Sequence, residues 1–176
     1  KYTRMGGSRY WILVVDESTR YKWSIYLKKK DEMASTILKQ ILIMRQMNKD
    51  VKYIHCDDAG ENVCIKSKLI EDEIRGVEME FTAPEMPQHN GVVERSFSFL
   101  YNKVRAMLNR AGFTVSERKK YWAECANMAT MLDNLHTRKL KSNFEIFKKK
   151  KPKMMLEIRA FGEIAVIKVR QAHMQR

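Results

Sequence analysis

The sequence predicts an α/β fold, and three observations carry this prediction. Two short segments rich in β-branched and aromatic residues flank a polar turn near the start of the chain. Helical and strand-like periodicities then alternate along residues 31–81. The 176 residues are 44% hydrophobic and 31% charged, which is enough to bury a core. The predicted order is ββαβαβ, followed by helices.

The two leading apolar segments are predicted to form a β-hairpin. They span Tyr10 to Val15 and Lys22 to Leu27, and the polar residues between them favour a turn. From Asp31 to about Met47, apolar residues repeat at intervals of three and four, which is typical of an amphipathic helix. The next elements are a strand over 51–56, a helix over 61–74 and a strand over 77–81.

The second half of the chain is predicted to be mainly helical. Residues 83–90 hold two of the three prolines and form a loop, and a long helix follows from Gly91 to the C-cap residue Gly112. Its apolar stripe comprises Val93, Phe97, Leu100, Val104, Met107 or Leu108, and Ala111. Ser116 is predicted to cap another helix. The buried face of that helix comprises Trp122, Cys125, Ala126, Ala129 and Leu132. A short helix over 144–148 and a strand over 161–169 follow.

The positive charge is concentrated in the second half. Residues 1–94 carry 15 basic and 15 acidic side chains, whereas residues 95–176 carry 19 and 6, so the net charge of +13 belongs there. A one-sided cationic surface attracts polyanions, because neutralised phosphates release counterions. Nucleic acid is the favoured partner; a basic face that serves only solubility is the main alternative, and an anionic membrane surface is less favoured. The longest apolar run, Tyr10 to Val15, is too short to span a membrane.

The three cysteines, Cys56, Cys64 and Cys125, are odd in number and lack paired spacing. Structural zinc needs about four ligands at close spacing, so His55 beside Cys56 is not interpreted as a metal site. We expect buried free thiols in a reducing, intracellular compartment.

Two carboxylates lie where a fold of this class places ligand-binding groups. Asp57 follows the third predicted strand, and open α/β sheets bind ligands at the carboxyl ends of strands. Glu94 lies on the first turn of the long helix, beside its apolar stripe. Paired carboxylates repel each other unless a cation lies between them, and Mg²⁺ prefers oxygen ligands. The 21 acidic residues generate many such pairs, so solvated surface remains the alternative to a metal site.

Two sequence blocks around these carboxylates resemble signatures of a known family. IHCDDAGEN (54–62) and FTAPEMPQHNGVVERSF (81–97) resemble the second and third signature blocks of the retroviral-type integrase core, in the DDE transposase superfamily. The 36 residues between Asp57 and Glu94 are close to the family spacing. Four further blocks resemble copia-type retrotransposon integrases: GGSRYWILVVDESTRYKW (6–23), VRAMLNRAGF (104–113), YWAECANMATMLDN (121–134) and RAFGEIAVI (159–167).

The resemblance implies an RNase H-like integrase core, a mixed sheet flanked by helices, that catalyses DNA strand transfer. In that family two Mg²⁺ (or Mn²⁺) ions bridge three carboxylates. Carried over to this sequence, Asp57 would bridge the ions and Glu94 would hold one. The implied partners are the element ends and target DNA, contacted in a homo-oligomer, without a membrane, and in the nucleus for the integration step. The candidate DNA contacts are Gln88, His89, Asn90, Arg95 and Lys103.

The sequence also departs from the family pattern. The first catalytic Asp and its central strand, in a sheet of order 3-2-1-4-5, have no counterpart here, which suggests N-terminal truncation. Asp16 is a poor substitute, because it is better explained as a turn residue. The hairpin and the third strand would then either pair directly or leave the sheet incomplete. Ala59 stands where the family often has Gly.

These departures leave two main hypotheses. The chain is part of an integrase core, residues 1–113, with a basic helical and strand extension over 114–176, or it is a catalytically dead remnant that still binds nucleic acid. Without the first Asp, we expect Mg²⁺-dependent strand transfer by this chain to be undetectable. An RNase H-like nuclease acting on RNA hybrids would need a different carboxylate set, and the QHNGVVER block argues against it.

Overall fold

A computed structural model of the chain describes residues 7–82, 91–137 and 140–163. The strands and helices are β1 (Tyr10–Val15), β2 (Lys22–Leu27), α1 (Met33–Gln46), β3 (Tyr53–Asp57), α2 (Gly60–Glu71), β4 (Glu78–Thr82), α3 (Gly91–Arg110), α4 (Val115–Leu135) and α5 (Asn143–Lys148). Short 3₁₀ helices span Lys30–Glu32 and Lys153–Glu157. The predicted ββαβαβ order is confirmed.

The β1–β2 hairpin is antiparallel, with Tyr10 opposite Leu27 and Val15 opposite Lys22. Its turn is organised by Asp16, whose Oδ2 accepts hydrogen bonds from the backbone N–H of Thr19 at 2.9 Å and from the Thr19 hydroxyl. The backbone N–H of Arg20 donates to the Asp16 carbonyl at 2.8 Å. Asp16 is therefore a turn residue, as the sequence indicated.

The hairpin is covered by helices on both faces. On one face Leu13 belongs to a hydrophobic cluster with residues of α3 and α4, such as Leu100 and Ala126. On the other face Ile12 and Val14 pack against a cluster formed by α1 and α2. Adjacent strand residues point to opposite faces, which explains why β1 is apolar throughout rather than alternating. Hydrophobic residues from both sides of residue 113 share the first cluster; the domain boundary proposed there stays a prediction.

Strands β3 and β4 form a separate parallel pair, with Tyr53 opposite Glu78 and Asp57 opposite Thr82. Among the described residues the strands therefore form two two-stranded sheets, and β1 does not pair with β3. Of the two arrangements expected from the sequence, the incomplete sheet is the one observed. Ile54 of β3 packs against the same α1–α2 cluster as the hairpin, so the two sheets share a helical layer.

Two predicted helix boundaries are wrong. Helix α2 ends at Glu71 rather than Ile74, because Glu73 adopts a left-handed φ of 52° and the N–H of Ile74 turns back to the Leu69 carbonyl at 3.0 Å. Helix α4 is capped by Thr114, not Ser116. The Thr114 hydroxyl accepts from the Glu117 N–H at 3.3 Å, and the Glu117 carboxylate accepts from the Thr114 N–H at 2.8 Å. This is a capping box with Thr and Glu at the usual spacing.

The predicted final strand over 161–169 is wrong at its start, and residues 164–169 lie outside the described residues. Phe161 to Glu163 form a turn closed by the Glu163 N–H donating to the Ala160 carbonyl at 3.2 Å. Gly162 has a φ of 85°, and a Cβ there would lie 2.6 Å from the Ala111 Cβ. The chain thus turns closely against the α3–α4 connection, which only glycine permits.

Candidate metal and nucleic-acid site

Asp57 is the last residue of β3 and its side chain is exposed. The Asn62 side chain, on the first turn of α2, donates to the Asp57 carbonyl at 3.1 Å and to its Oδ1 at 2.5 Å. Asn62 thereby fixes the orientation of the carboxylate, while Oδ2 accepts no hydrogen bond from a described residue. Ala59, which replaces the expected Gly, has an ordinary φ of −74° at the N-cap of α2, so this substitution introduces no strain.

The thiol of Cys56, beside the Asp57 carboxylate, is unreactive at neutral pH. Burial, and to a smaller extent the negative charges of Asp57 and Asp58, raise the pKa of Cys56 to about 11. A thiol with such a pKa stays protonated at neutral pH and is a poor metal ligand or nucleophile. All three cysteines are free, but only Cys125 is buried; Cys56 is half-buried and Cys64 is exposed. The expectation of buried thiols is therefore wrong for Cys64, which lies on the solvent side of α2.

Glu94 lies on the first turn of α3 and is exposed. It makes no hydrogen bond or ion pair with a described residue, and the positive end of the helix dipole stabilises its charge. Its neighbour Arg95 is also exposed, and the Arg95 Nε donates to the Gly91 carbonyl at 2.9 Å. A carboxylate and a guanidinium thus lie together at the start of α3.

Lys103 contacts other side chains of the protein, so it is less available to DNA than the sequence indicated. Its Nζ lies 5.0 Å from the centroid of the Phe99 ring and 4.0 Å from Asp133 Oδ1. Its side chain is 27% exposed. A phosphate contact by Lys103 would compete with this buried carboxylate.

The other candidate DNA contacts, Gln88, His89 and Asn90, lie outside the described residues. Within the described ranges, no three or more His, Cys, Asp or Glu side chains gather closely enough to hold a metal ion. Metal binding by Asp57 and Glu94 therefore stays a prediction.

The sequence did not reveal a contact on the exposed face of β3–β4. His55 Nδ1 lies 3.0 Å from Glu80 Oε2, on the strand opposite, and His55 Nε2 lies 3.9 Å from Glu17 Oε2 in the hairpin turn. The alternation of exposed Tyr53, His55 and Asp57 along β3 was the only available signal, because it places these side chains on one face.

Sequence reasoning also missed a buried polar cluster between β2 and α4. Lys22 Nζ lies 2.5 Å from Asp133 Oδ2, and the two side chains are only 3% and 2% exposed. The Asn134 side chain accepts from the Lys22 N–H and donates to the Lys22 carbonyl, both at 2.8 Å. Because these partners are 111 and 112 positions apart, no local pattern could have predicted their contact.

Comparison with known proteins connects this geometry to a family. No protein-family model matches the chain. The Pol polyprotein of the tobacco transposon TNT 1-94 is 33% identical over 133 residues, covering 74% of this chain. Pol polyproteins of the Arabidopsis thaliana transposons RE2 and RE1 are 28% and 26% identical over 127 residues. The chain is homologous to retrotransposon Pol polyproteins.

Solved structures identify the corresponding fold. The catalytic core domain of bovine immunodeficiency virus (BIV) integrase covers 78% of this chain with a TM-score of 0.54 and 16% identity. The HTLV-2 integrase catalytic core, in complex with magnesium and in a trimeric form, covers 84% with a TM-score of 0.54 and 14% identity. The matched residues cover 84% of the BIV core domain and 90% of the HTLV-2 core domain. A chain of the simian T-cell lymphotropic virus intasome covers 90% of this chain, with a TM-score of 0.58.

The chain thus has the RNase H-like fold of integrase catalytic cores, as predicted. It spans about a tenth of the length of the Pol polyproteins it matches. None of the helices in the described ranges is long and apolar enough to cross a membrane.

Proposed function

We propose that the chain is the core of a retrotransposon integrase whose longer protein performs divalent-metal-dependent DNA strand transfer. The observation that carries the proposal is the 33% identity to a retrotransposon Pol polyprotein over 133 residues, in a chain that has an integrase-core fold. The longer protein would act as a homo-oligomer on element ends and target DNA, in the nucleus for the integration step. The trimeric form of the HTLV-2 core supports an oligomeric arrangement by analogy.

In this proposal Asp57 and Glu94 hold Mg²⁺ or Mn²⁺, with two ions bound in the longer protein. Both side chains are exposed, and Asn62 fixes the Asp57 carboxylate through one oxygen. Divalent ions bound in this way activate the attacking hydroxyl and stabilise the leaving oxygen of a phosphodiester. The HTLV-2 core, which is similar in fold, was determined with magnesium.

DNA contacts would extend from the metal site along the start of α3. The candidates are Gln88, His89, Asn90, Arg95 and Lys103. Arg95 is the best supported of the described pair, because its guanidinium is exposed beside Glu94, whereas Lys103 is engaged by Asp133. The Arg95 fork suits bidentate phosphate binding.

Metal binding tests the proposal directly. Titration of the chain with Mn²⁺, followed by electron paramagnetic resonance of the free ion, should show a site that Asp57→Asn and Glu94→Gln each weaken at least about tenfold, because each removes a charged ligand. Asp58→Asn is the matched control, since Asp58 is exposed and adjacent to Asp57 but has no proposed ligand role.

Equal effects of all three substitutions would contradict the metal proposal, because they would reflect general charge. The alternative of a dead, nucleic-acid-binding remnant predicts duplex binding that is unchanged by Mn²⁺ and no specific Mn²⁺ site.

A further inference from the structure

A run of exposed lysines follows α5, far along the chain from the candidate metal ligands. We call Lys149, Lys150, Lys151 and Lys153 the lysine turn. All four side chains are exposed, and within the described ranges none of them forms an ion pair with a carboxylate. Four positive charges within five residues repel one another, which is unfavourable unless a polyanion neutralises them.

The lysine turn is attached to a fixed support. Phe147, the residue before Lys148, is 3% exposed and stacks on Tyr21 with ring centroids 4.5 Å apart. It also meets Trp23 edge-on at 5.1 Å. At the other end of α5, the Asn143 side chain donates to the Arg20 carbonyl at 3.0 Å. The helix is therefore held against the hairpin, so binding through the lysine turn would not require ordering a loose segment.

The neighbouring charged groups are already occupied. Lys148 turns inward, with its Nζ 3.2 Å from Met47 Sδ and 5.4 Å from the centroid of the Phe147 ring. Glu145 is the only carboxylate between Lys141 and Lys153. It accepts hydrogen bonds from the N–H and the hydroxyl of Ser142, both at 2.9 Å, and so caps α5. The Glu145 charge also interacts with Lys151, but one carboxylate against four lysines leaves the lysine turn strongly positive.

The geometry favours a dense, linear polyanion. Lys149 has a left-handed φ of 54°, which ends α5, and Pro152 keeps the exit extended. Five extended residues span at most about 17 Å. Duplex DNA presents one negative charge per about 1.7 Å of its axis, roughly twice the density of a fully acidic extended peptide. Lysines are point charges without a planar fork, so they suit phosphate contacts that need no fixed bidentate geometry.

We propose that the lysine turn docks the phosphate backbone of duplex DNA without sequence preference, at a surface additional to the start of α3. The partner rests on the proposed function, since it is the DNA on which an integrase core would act. The surface itself does not depend on Asp57 or Glu94.

The test measures binding of the full chain to a random-sequence duplex by fluorescence anisotropy at several salt concentrations. A variant with Lys149, Lys150, Lys151 and Lys153 all changed to Gln should bind about tenfold or more weakly near 0.1 M salt. The slope of log affinity against log salt should fall by about 2 to 4, because each lost phosphate contact removes about 0.9. Circular dichroism should show unchanged folding.

A matched variant carries Gln at Lys28, Lys29, Lys39 and Lys66, which are also exposed. It loses the same charge and should change affinity less than threefold. Equal losses in both variants would overturn the proposal, because net charge alone would then set the affinity. So would displacement of the duplex by polyglutamate at a lower charge concentration than by unlabelled DNA, since an acidic protein would then be the better partner.

A second measurement locates the surface without substitutions. Bound duplex should protect the lysine turn, but not Lys39 or Lys66, from acetylation read by mass spectrometry. If the unmodified chain binds duplex and both measurements leave the lysine turn unaffected, the surface is wrong while the proposed function survives. If the unmodified chain binds no duplex at all, DNA binding by this core fails, and the proposed function fails with it.

Discussion

The two small sheets of this molecule are built in opposite ways. The β1–β2 hairpin lies between two helical layers, with hydrophobic clusters on both faces and a buried ion pair joining it to α4. Within the part of the chain that the structure describes, the β3–β4 pair has a helical layer on one face, and the other face exposes Tyr53, His55 and Asp57. The hairpin half, which comprises β1, β2, α3 and α4, therefore contributes stability. The β3–β4 half leaves polar groups accessible to a ligand. This division matches where the candidate carboxylate Asp57 lies.

Thiol reactivity should show the contrast most strongly. Burial raises the pKa of Cys125, in the hairpin half, to about 12, whereas Cys64 is exposed on α2. A raised pKa lowers the thiolate fraction at any pH below it, and the thiolate is the reactive form. At pH 8, an aromatic disulfide reagent followed by mass spectrometry should modify Cys64 at least about a thousandfold faster than Cys125. Comparable rates in native buffer would mean that α4 is not packed as described.

The buried ion pair should dominate the stability of the hairpin half. Lys22→Met leaves the Asp133 carboxylate without its main cation at 2% exposure, which typically costs about 3–5 kcal/mol. Urea unfolding followed by Trp fluorescence measures this loss. The double variant Lys22→Met/Asp133→Leu should recover more than half of it, because no uncompensated charge remains on either partner. A loss below about 1 kcal/mol in the single variant would show that the pair is not buried.

A smaller effect tests the N-terminal cap of α4, the helix that packs against the hairpin. Thr114→Ala removes the hydroxyl that caps α4 and should cost about 1 kcal/mol in urea unfolding. Ser116→Ala is the matched control, since Ser116 lies inside the helix and should change stability by less than about 0.5 kcal/mol. A larger stability loss in Ser116→Ala than in Thr114→Ala would contradict this cap and would favour Ser116 as the capping residue.

Local patterns predicted most of the fold because most of it is locally encoded. Leu100, Val104 and Leu108 repeat at helical spacing and are buried as expected, and Gly112 has the left-handed φ of 68° that a C-cap requires. The Thr114–Glu117 capping box is also a local signal, and the predicted cap, Ser116, lies two residues too late. Spacing could not predict that Lys22 would meet Asp133, or that Phe161 would turn against Phe113, because these contacts depend on how distant elements pack.

The candidate site divides in the same way. Asp57 at the end of a strand and Glu94 at the start of a helix follow from periodicity and from the family resemblance. The contact of Lys103 with Asp133 depends on how α3 and α4 pack, which no spacing rule contains. The anchoring of Asp57 by Asn62 is local in sequence, but it depends on the angle at which α2 follows β3.

The central claim is that Asp57 and Glu94 share a divalent ion, and a double-mutant cycle on Mn²⁺ affinity tests it most directly. Ligands of one ion act as a unit, so their losses do not add. We predict that Asp57→Asn/Glu94→Gln binds Mn²⁺ no more weakly than the weaker of the two single variants. Losses that simply add would mean that the two carboxylates act at separate places, and would contradict the account.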